Sequence, residues 1–224
     1  MQTTGTDRLI GVARTTLLIL AALVTFFPFF SVLVTSITPS VEVSQRGFVI
    51  VPLTGISFDA YDFILSEGSL IPRAYLNTLY LVIVGTTLSL SVTSMLAYGL
   101  SKADLPGGRV LRFLVTFTLI FNGGIIPLYI VVRGLGLTNS IPGVIAPLLV
   151  AAWNTLLMMR FFEGIPTEVE ESARMDGAND FVIFARIVLP IATAALATIG
   201  LFYAVEYWNQ WFFPTIFIHE NQKQ

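Results

Sequence analysis

The chain of 224 residues has no cysteine, one histidine and few charged residues. The lack of cysteine excludes disulfides and thiolate metal sites, and His219 alone supplies too little imidazole for most metal or catalytic sites. Charged residues make up 12% of the chain, against roughly 25% in soluble domains. The net charge of −2 argues against nucleic acid as a partner.

What the chain has in abundance is apolar surface. Hydrophobic residues make up 55% of it, and its mean hydropathy is +0.81. A soluble fold could not remove this much apolar surface from water, because surface grows with size and must be wetted. The composition therefore predicts an integral membrane protein that lies in a lipid bilayer.

Five stretches are long and apolar enough to cross a bilayer, which takes about 20 residues in a helix. They are 16–37, 75–100, 111–132, 141–162 and 190–213. The first is longer than the apolar core of a signal peptide and is not followed closely by a cleavage site, so we expect a retained anchor. The predicted fold is an all-α polytopic bundle with five transmembrane helices.

The distribution of Lys and Arg predicts a cytoplasmic N-terminus. This orientation places eight of these residues inside: Arg8, Arg14, Lys102, Arg109, Arg112, Arg160, Arg174 and Arg186. Four then lie outside: Arg46, Arg73, Arg133 and Lys223.

The predicted organisation has four parts. Residues 1–37 form a cytoplasmic tail and the first span, and 38–74 form an external loop in which "SFDAYDFILSEG" predicts a short surface helix. Residues 75–218 form the transmembrane domain, and 219–224 form an external end. The domain includes a cytoplasmic segment, 163–189, which we term the charged loop.

The charged loop contains "TEVEESARMDGANDFVIFARIVL", followed by Pro190. Thr167 and Glu170 have the spacing of a capping box, and Glu170 can pair with Arg174 one turn later. Gly177 can end this helix in the left-handed conformation, and Asn179 can cap a second helix. The pattern predicts two short helices joined at a glycine elbow.

The first of these helices has only about three turns and is marginal on its own in water. It needs a surface to pack against, which is either its own bundle or a partner protein. Its small residues would allow a close approach in another protein's groove. An ordinary loop helix resting on the membrane is the alternative, although such helices are usually rich in Lys and Arg.

The charged loop resembles the "EAA" motif of ABC importer permeases, the membrane subunits of binding-protein-dependent transport systems. The residues that carry the likeness are Glu171, Ser172, Ala173, Gly177, Ile187, Leu189 and Pro190. Ser172 replaces the usual alanine of the motif. Other stretches, including "YLNTLYLVIVGTTLSLSVTSMLAYGLSKADLPG" and "LFYAVEYWNQWF", also resemble maltose-permease-like carbohydrate importers, above all their oligosaccharide and uronate branch.

The resemblance implies the bundle of a type I ABC importer permease, without enzymatic activity, in the bacterial cytoplasmic membrane. The implied partners are a second homologous permease, two cytoplasmic ATPases and an external sugar-binding protein. The implied ATPase-docking residues are Glu170, Glu171, Ser172, Ala173, Asp176, Gly177 and Ala178. The chain has no G-x-x-x-x-G-K-[ST] loop, so ATP and magnesium are expected on the ATPase subunits and no cofactor here.

The family usually has a sixth core helix after the position where this chain stops, so the sequence is interpreted as C-terminally truncated. A non-functional permease fragment is therefore an alternative to an active subunit. A stand-alone channel or secondary carrier is another, although a single Glu inside the spans argues against an ion relay. A membrane enzyme would need a nucleophile–base pair or metal site that the spans do not supply.

Polar residues inside the predicted spans are candidates for a substrate path, because such groups usually face protein or water. They are Asn77, Asn122, Asn154, Glu206, Trp208 and Asn209. The aromatic residues around Glu206 could equally form an interfacial belt. A second cluster, comprising Ser89, Ser91, Thr93 and Ser94, is better explained by close packing between helices.

Overall fold

The structure is a computed structural model that describes residues 5–47, 51–66 and 68–218. All of the regular elements in these residues are helical, which confirms the predicted fold class. The chain divides into two compact units, Met1–Ala74 and Tyr75–Gln224. The predicted external end 219–224, with His219 and Lys223, lies outside the described residues.

The first unit contains the helices α1 (Gly5–Ser36), α2 (Ser40–Arg46) and α3 (Asp59–Leu65). The predicted first span lies within α1, and the predicted surface helix of the external loop is α3. Only 6% of the most apolar part of α1 is buried inside the chain. Its outward-facing Leu, Ile and Phe side chains therefore need lipid or another subunit around them.

The second unit is built around α4 (Ile71–Ser101), which is long and apolar enough to cross a membrane. It contains the predicted second span and carries a π-helical turn at Leu81–Gly85. The helices that follow are α5 (Gly108–Ile120), α6 (Ile125–Gly134), α7 (Ile141–Leu148), α8 (Ala152–Glu163), α9 (Thr167–Met175), α10 (Asp180–Ile191), α11 (Thr193–Trp208) and α12 (Phe212–Phe217).

The third predicted span, 111–132, is wrong as a continuous helix. Its residues belong to α5 and α6, which are separated by 121–124. Gly124 has a φ of 81°, and its amide donates to Asn122 Oδ1 at 2.8 Å. The tight Asn–Gly–Gly turn interrupts a stretch whose composition is apolar throughout, because hydropathy does not measure backbone conformation.

The fourth and fifth predicted spans are each bent. The helices α7 and α8 meet at 55°, and α10 and α11 meet at 84°. In the described part of the chain, two helices could each cross a membrane alone, and up to four spans result if each bent pair counts as one. The predicted number of five spans is therefore not confirmed.

The core of the second unit lies where α4 meets α8 and α11. Buried apolar residues there include Ala97, Leu100, Met158, Ile199 and Tyr203. Burying such side chains is worth about 1.5–3 kcal/mol each in an aqueous setting. Within a bilayer the same surfaces are held by close packing and polar contacts between helices.

Candidate functional site

The charged loop folds as the sequence predicts, into two helices with an elbow between them. The first helix, α9, ends at Met175, and Gly177 follows with a φ of 85°. The Ala178 amide donates to Ala173 O at 3.0 Å, which closes the turn. The side chain of Asn179 then accepts from the Val182 amide at 2.9 Å and caps α10.

The predicted capping box does not form. Thr167 is already the first helical residue of α9, Pro166 occupies the cap position, and no side chain hydrogen-bonds there. Glu170, which would have reached back to the cap, points elsewhere. Its carboxylate instead pairs with a cation that is distant in the sequence, because a hydrogen bond between two charged groups is stronger than one to an exposed backbone amide.

Glu170 is buried, with 8% of its surface exposed. Its carboxylate forms an ion pair with Lys102, which is 68 residues away and follows the last turn of α4. The Tyr98 hydroxyl donates to the same carboxylate at 3.5 Å. The predicted pair with Arg174 is present at 3.9 Å.

Most of the other predicted docking residues lie on the outer side of the charged loop. Glu171, Ser172, Asp176 and Gly177 are exposed, and Ala173 and Ala178 are half-buried. Glu170 is thus separated from this set, because it faces the interior of the chain. Met175, which sequence reasoning did not select, is 89% exposed and is the most prominent apolar side chain of α9.

Arg174 connects the two helices of the loop. Its guanidinium donates to the Asp180 carboxylate at 3.0 Å. This hydrogen bond raises the pKa of Arg174, so the group stays charged throughout the physiological range. The elbow at Gly177 is therefore bridged by an exposed ion pair.

The predicted substrate-path residues have separate surroundings. Asn154 is buried, whereas Asn77, Asn122, Glu206, Trp208 and Asn209 are exposed on the chain. Asn209 donates to Val205 O of its own helix at 2.8 Å. The Trp208 ring meets Tyr75 edge-on at 5.9 Å.

Two of the four hydroxyl residues of the α4 cluster contact another helix, as the simpler interpretation expected, and the other two hydrogen-bond within α4. Ser89 Oγ lies 2.9 Å from the Tyr207 hydroxyl, and Thr93 Oγ1 lies 2.7 Å from the Tyr203 hydroxyl. The Tyr203 hydroxyl also accepts from the Ala151 amide at 3.0 Å. Sequence reasoning did not identify this packing role of the two tyrosines, although the two hydroxyl residues are four positions apart and so are the two tyrosines, which is the spacing of one helix face.

Several known proteins resemble this chain, although no family model matches it. A polygalacturonan/rhamnogalacturonan transport system permease protein, YtcP of Bacillus subtilis, is 41% identical over 206 residues, which cover 92% of this chain and 71% of that protein. The protein LplC of the same organism is 36% identical, and the match covers 89% of this chain and 67% of that protein.

A solved structure has the same fold along nearly the whole chain. It is the crystal structure of a bacterial ABC transporter involved in the import of the acidic polysaccharide alginate. It matches with a TM-score of 0.91 and 34% identity, over 98% of this chain and 78% of that one. The chain belongs to the family of permease subunits of sugar ABC importers, integral proteins of the bacterial cell membrane.

Proposed function

We propose that this permease imports oligosaccharides, and in particular those rich in uronic acids. The support comes from its relatives, one of which belongs to a polygalacturonan or rhamnogalacturonan transport system and another to a transporter involved in alginate import. Arabinooligosaccharide transport by AraQ of Bacillus subtilis, 30% identical over 94% of this chain, supports the broader class.

The charged loop is proposed to be the docking site for a cytoplasmic ATPase. The observation that carries this proposal is the shape of α9. It is a preformed helix whose inner side is held by Glu170, and its outer side presents Glu171, Ser172 and Met175. A helix that is already ordered loses less entropy when it enters a partner's groove.

The complete transporter is proposed to contain this chain, a second homologous permease, two ATPases and an external sugar-binding protein. The N-terminus is cytoplasmic in this arrangement. Energy comes from ATP and magnesium on the ATPases, because the sequence has no phosphate-binding loop. Five of the six predicted path residues are exposed on this chain, so a path they line would be completed by the second permease.

The experiment that tests this proposal is reconstitution of the chain with its companion subunits in proteoliposomes. We expect ATP-dependent import of oligogalacturonides in preference to neutral maltooligosaccharides. Import that needs no ATPase would favour a stand-alone channel or secondary carrier instead. Import of neutral sugars alone would overturn the proposed substrate class.

The docking site is tested in the same preparation with Glu171→Lys. Reversing the charge on the outer side of α9 should reduce both ATPase retention and import. Asp104→Lys is the matched control, because Asp104 is an exposed carboxylate in another loop on the predicted cytoplasmic side. Unchanged ATPase retention and import with Glu171→Lys would show that the docking site is misassigned.

A further inference from the structure

The ion pair between Glu170 and Lys102 joins parts of the chain that are 68 residues apart. One partner lies on α9, the proposed docking helix, and the other directly follows α4, the longest helix of the second unit. The exposed fractions of the two side chains are only 10% and 24%. Removing either partner would leave a charge in a site poorly reached by water.

Tyr98 makes this pair part of a larger cluster. The Lys102 ammonium lies 4.0 Å from the centre of the Tyr98 ring, a cation–π distance. The hydroxyl of the same tyrosine donates to Glu170. The ring also packs against Phe162 of α8 at 5.9 Å and Phe184 of α10 at 5.0 Å.

The end of α4 is itself held firmly. Arg112 of α5 donates to the carbonyl oxygen of Leu100 at 2.6 Å, in the last turn of α4. A cation at this position suits the negative end of the helix dipole. Lys102 therefore projects from a junction of α4, α5, α8 and α10 and does not lie on a free loop.

The backbone that follows α9 is less suited to carry a displacement. The helix is followed by the elbow at Gly177, whose φ of 85° is accessible because glycine has no side chain to restrain it. The side-chain pair that bridges this elbow, Arg174 with Asp180, is exposed to water and therefore contributes little. A buried side-chain contact across the fold offers a shorter and stiffer connection.

We propose that the Glu170–Lys102 pair is the strut that passes the movement of α9 into α4. Glu170 and Lys102 are thus positioning residues for transport, and neither needs to touch the ATPase or the sugar. The inference rests on the proposed docking function of the charged loop. A pair that served only to anchor the loop would matter for stability and would not matter separately for coupling.

The test compares Glu170→Gln, Lys102→Met, their double variant and Lys102→Arg in the reconstituted transporter. Two quantities are measured: the ATPase retained by the permease and the sugar imported per ATP hydrolysed. We expect the single variants to retain the ATPase within about twofold while import per ATP falls about tenfold, a size typical of altered coupling between sites. Lys102→Arg keeps the charge and should keep most of the coupling.

The double variant separates the two roles. Replacing both members of a buried ion pair restores much of the stability that a single replacement loses, so an anchor role predicts recovery of coupling. The strut predicts that import per ATP stays low although stability returns. The matched control is Asp104→Asn, which neutralises an exposed carboxylate two residues from Lys102 and outside the charged loop, and should change nothing.

Two results would overturn the strut: a double variant that couples normally, or single variants that lose ATPase retention in proportion to import. Either would show that the pair only holds the docking surface. Failure of the unmodified chain to retain an ATPase would instead overturn the proposed docking function, and the strut with it. The unmodified chain thus distinguishes the two failures.

Discussion

Two short helices, α2 in the first unit and α9 in the second, share three local features. Each begins directly after a proline, Pro39 or Pro166, and each buries one glutamate. Each is followed by a glycine in the left-handed region, Gly47 with a φ of 67° and Gly177 with a φ of 85°. They differ in what the buried carboxylate contacts.

In α2 the carboxylate of Glu42 contacts residues that are near in the sequence, among those that the structure describes. It accepts from the Arg46 guanidinium at 2.7 Å, from the Leu53 amide at 3.0 Å and from the Thr54 hydroxyl at 2.6 Å. The hydrogen bond from the Thr54 hydroxyl, followed by that from the Leu53 amide, lowers the pKa of Glu42 from 4.5 to about 2. This glutamate closes a turn of the segment 38–74 on itself.

In α9 the carboxylate of Glu170 contacts Lys102 across the fold. The same combination of proline, buried glutamate and glycine therefore has different consequences in the two helices. A buried glutamate with local partners makes a stable loop, and one with a distant partner makes a helix that moves together with the core. Only the second arrangement can connect a docking surface to a membrane helix.

The largest effect in this comparison is expected from Glu170→Ala. The change leaves Lys102 without its carboxylate, which costs about 2 kcal/mol after allowance for the partial exposure of the lysine. The opened form of α9 should then be populated about thirtyfold more. Limited trypsin digestion, followed by mass spectrometry of cleavage after Arg174, measures this. Cleavage after Arg46 is the internal control, and an equal rise at both sites would contradict the contrast between the two regions.

A smaller and separate effect is expected from Glu42→Gln. The amide that replaces the carboxylate accepts less strongly from Thr54 and Leu53 and loses the ion pair with Arg46. The turn that Glu42 closes should open more often, and trypsin should cut faster after Arg46. The rate of cleavage after Arg174 should not change. A rise there as well would mean that the two buried glutamates do not act independently.

The turn that Glu42 closes should also stay folded in mild acid. The pKa of Glu42 is lowered in the folded protein, so its contribution is complete above pH 4.5 and disappears as the pH falls towards about 2. Hydrogen exchange at the Leu53 and Thr54 amides, corrected for its intrinsic pH dependence, follows this directly. Protection should persist at pH 4 and fall below it, and Glu42→Gln should abolish that pH dependence. Loss of protection already between pH 6 and 5 would contradict the assignment.

The smallest effects are expected from Gly47→Ala and Gly177→Ala. A methyl group at either position would meet no atom within 4 Å, so the cost is that of the left-handed backbone alone, about 1 kcal/mol. Thermal unfolding should show similar losses for both variants. Only Gly177→Ala should also lower import, because only that elbow belongs to the proposed docking site. An equal loss of import in the two variants would show that the elbow at Gly177 has no special role in docking.

Local signals in the sequence predicted the local parts of the structure well. The sequence predicted the helix α3, the glycine elbow and the cap at Asn179, because each depends on residues a few positions apart. The break at 121–124 also had a local signal in "FNGG", which an analysis of hydropathy passes over. The resemblance to importer permeases predicted the family that the comparisons then showed.

The partner of Glu170 could not be predicted in this way. The sequence around Thr167 has the spacing of a capping box, and no residue near it indicates Lys102 as the partner of Glu170. The choice depends on where α4 ends in space, and this follows from the packing of Ala97 and Leu100 against α8 and α11. Side-chain contacts across a bundle are set by the whole fold and have no local signature.

The most direct test of the docking site is a crosslink between α9 and the ATPase. The chain has no cysteine, so Met175→Cys creates a single reactive thiol on the outer side of the helix, at a position that is 89% exposed. Val41→Cys, 65% exposed on α2, is the matched control on the other short helix. We expect a short bifunctional reagent to join the ATPase to the thiol at position 175 and not to the thiol at position 41. Absence of the first crosslink in an assembled, active transporter would contradict the proposed docking site.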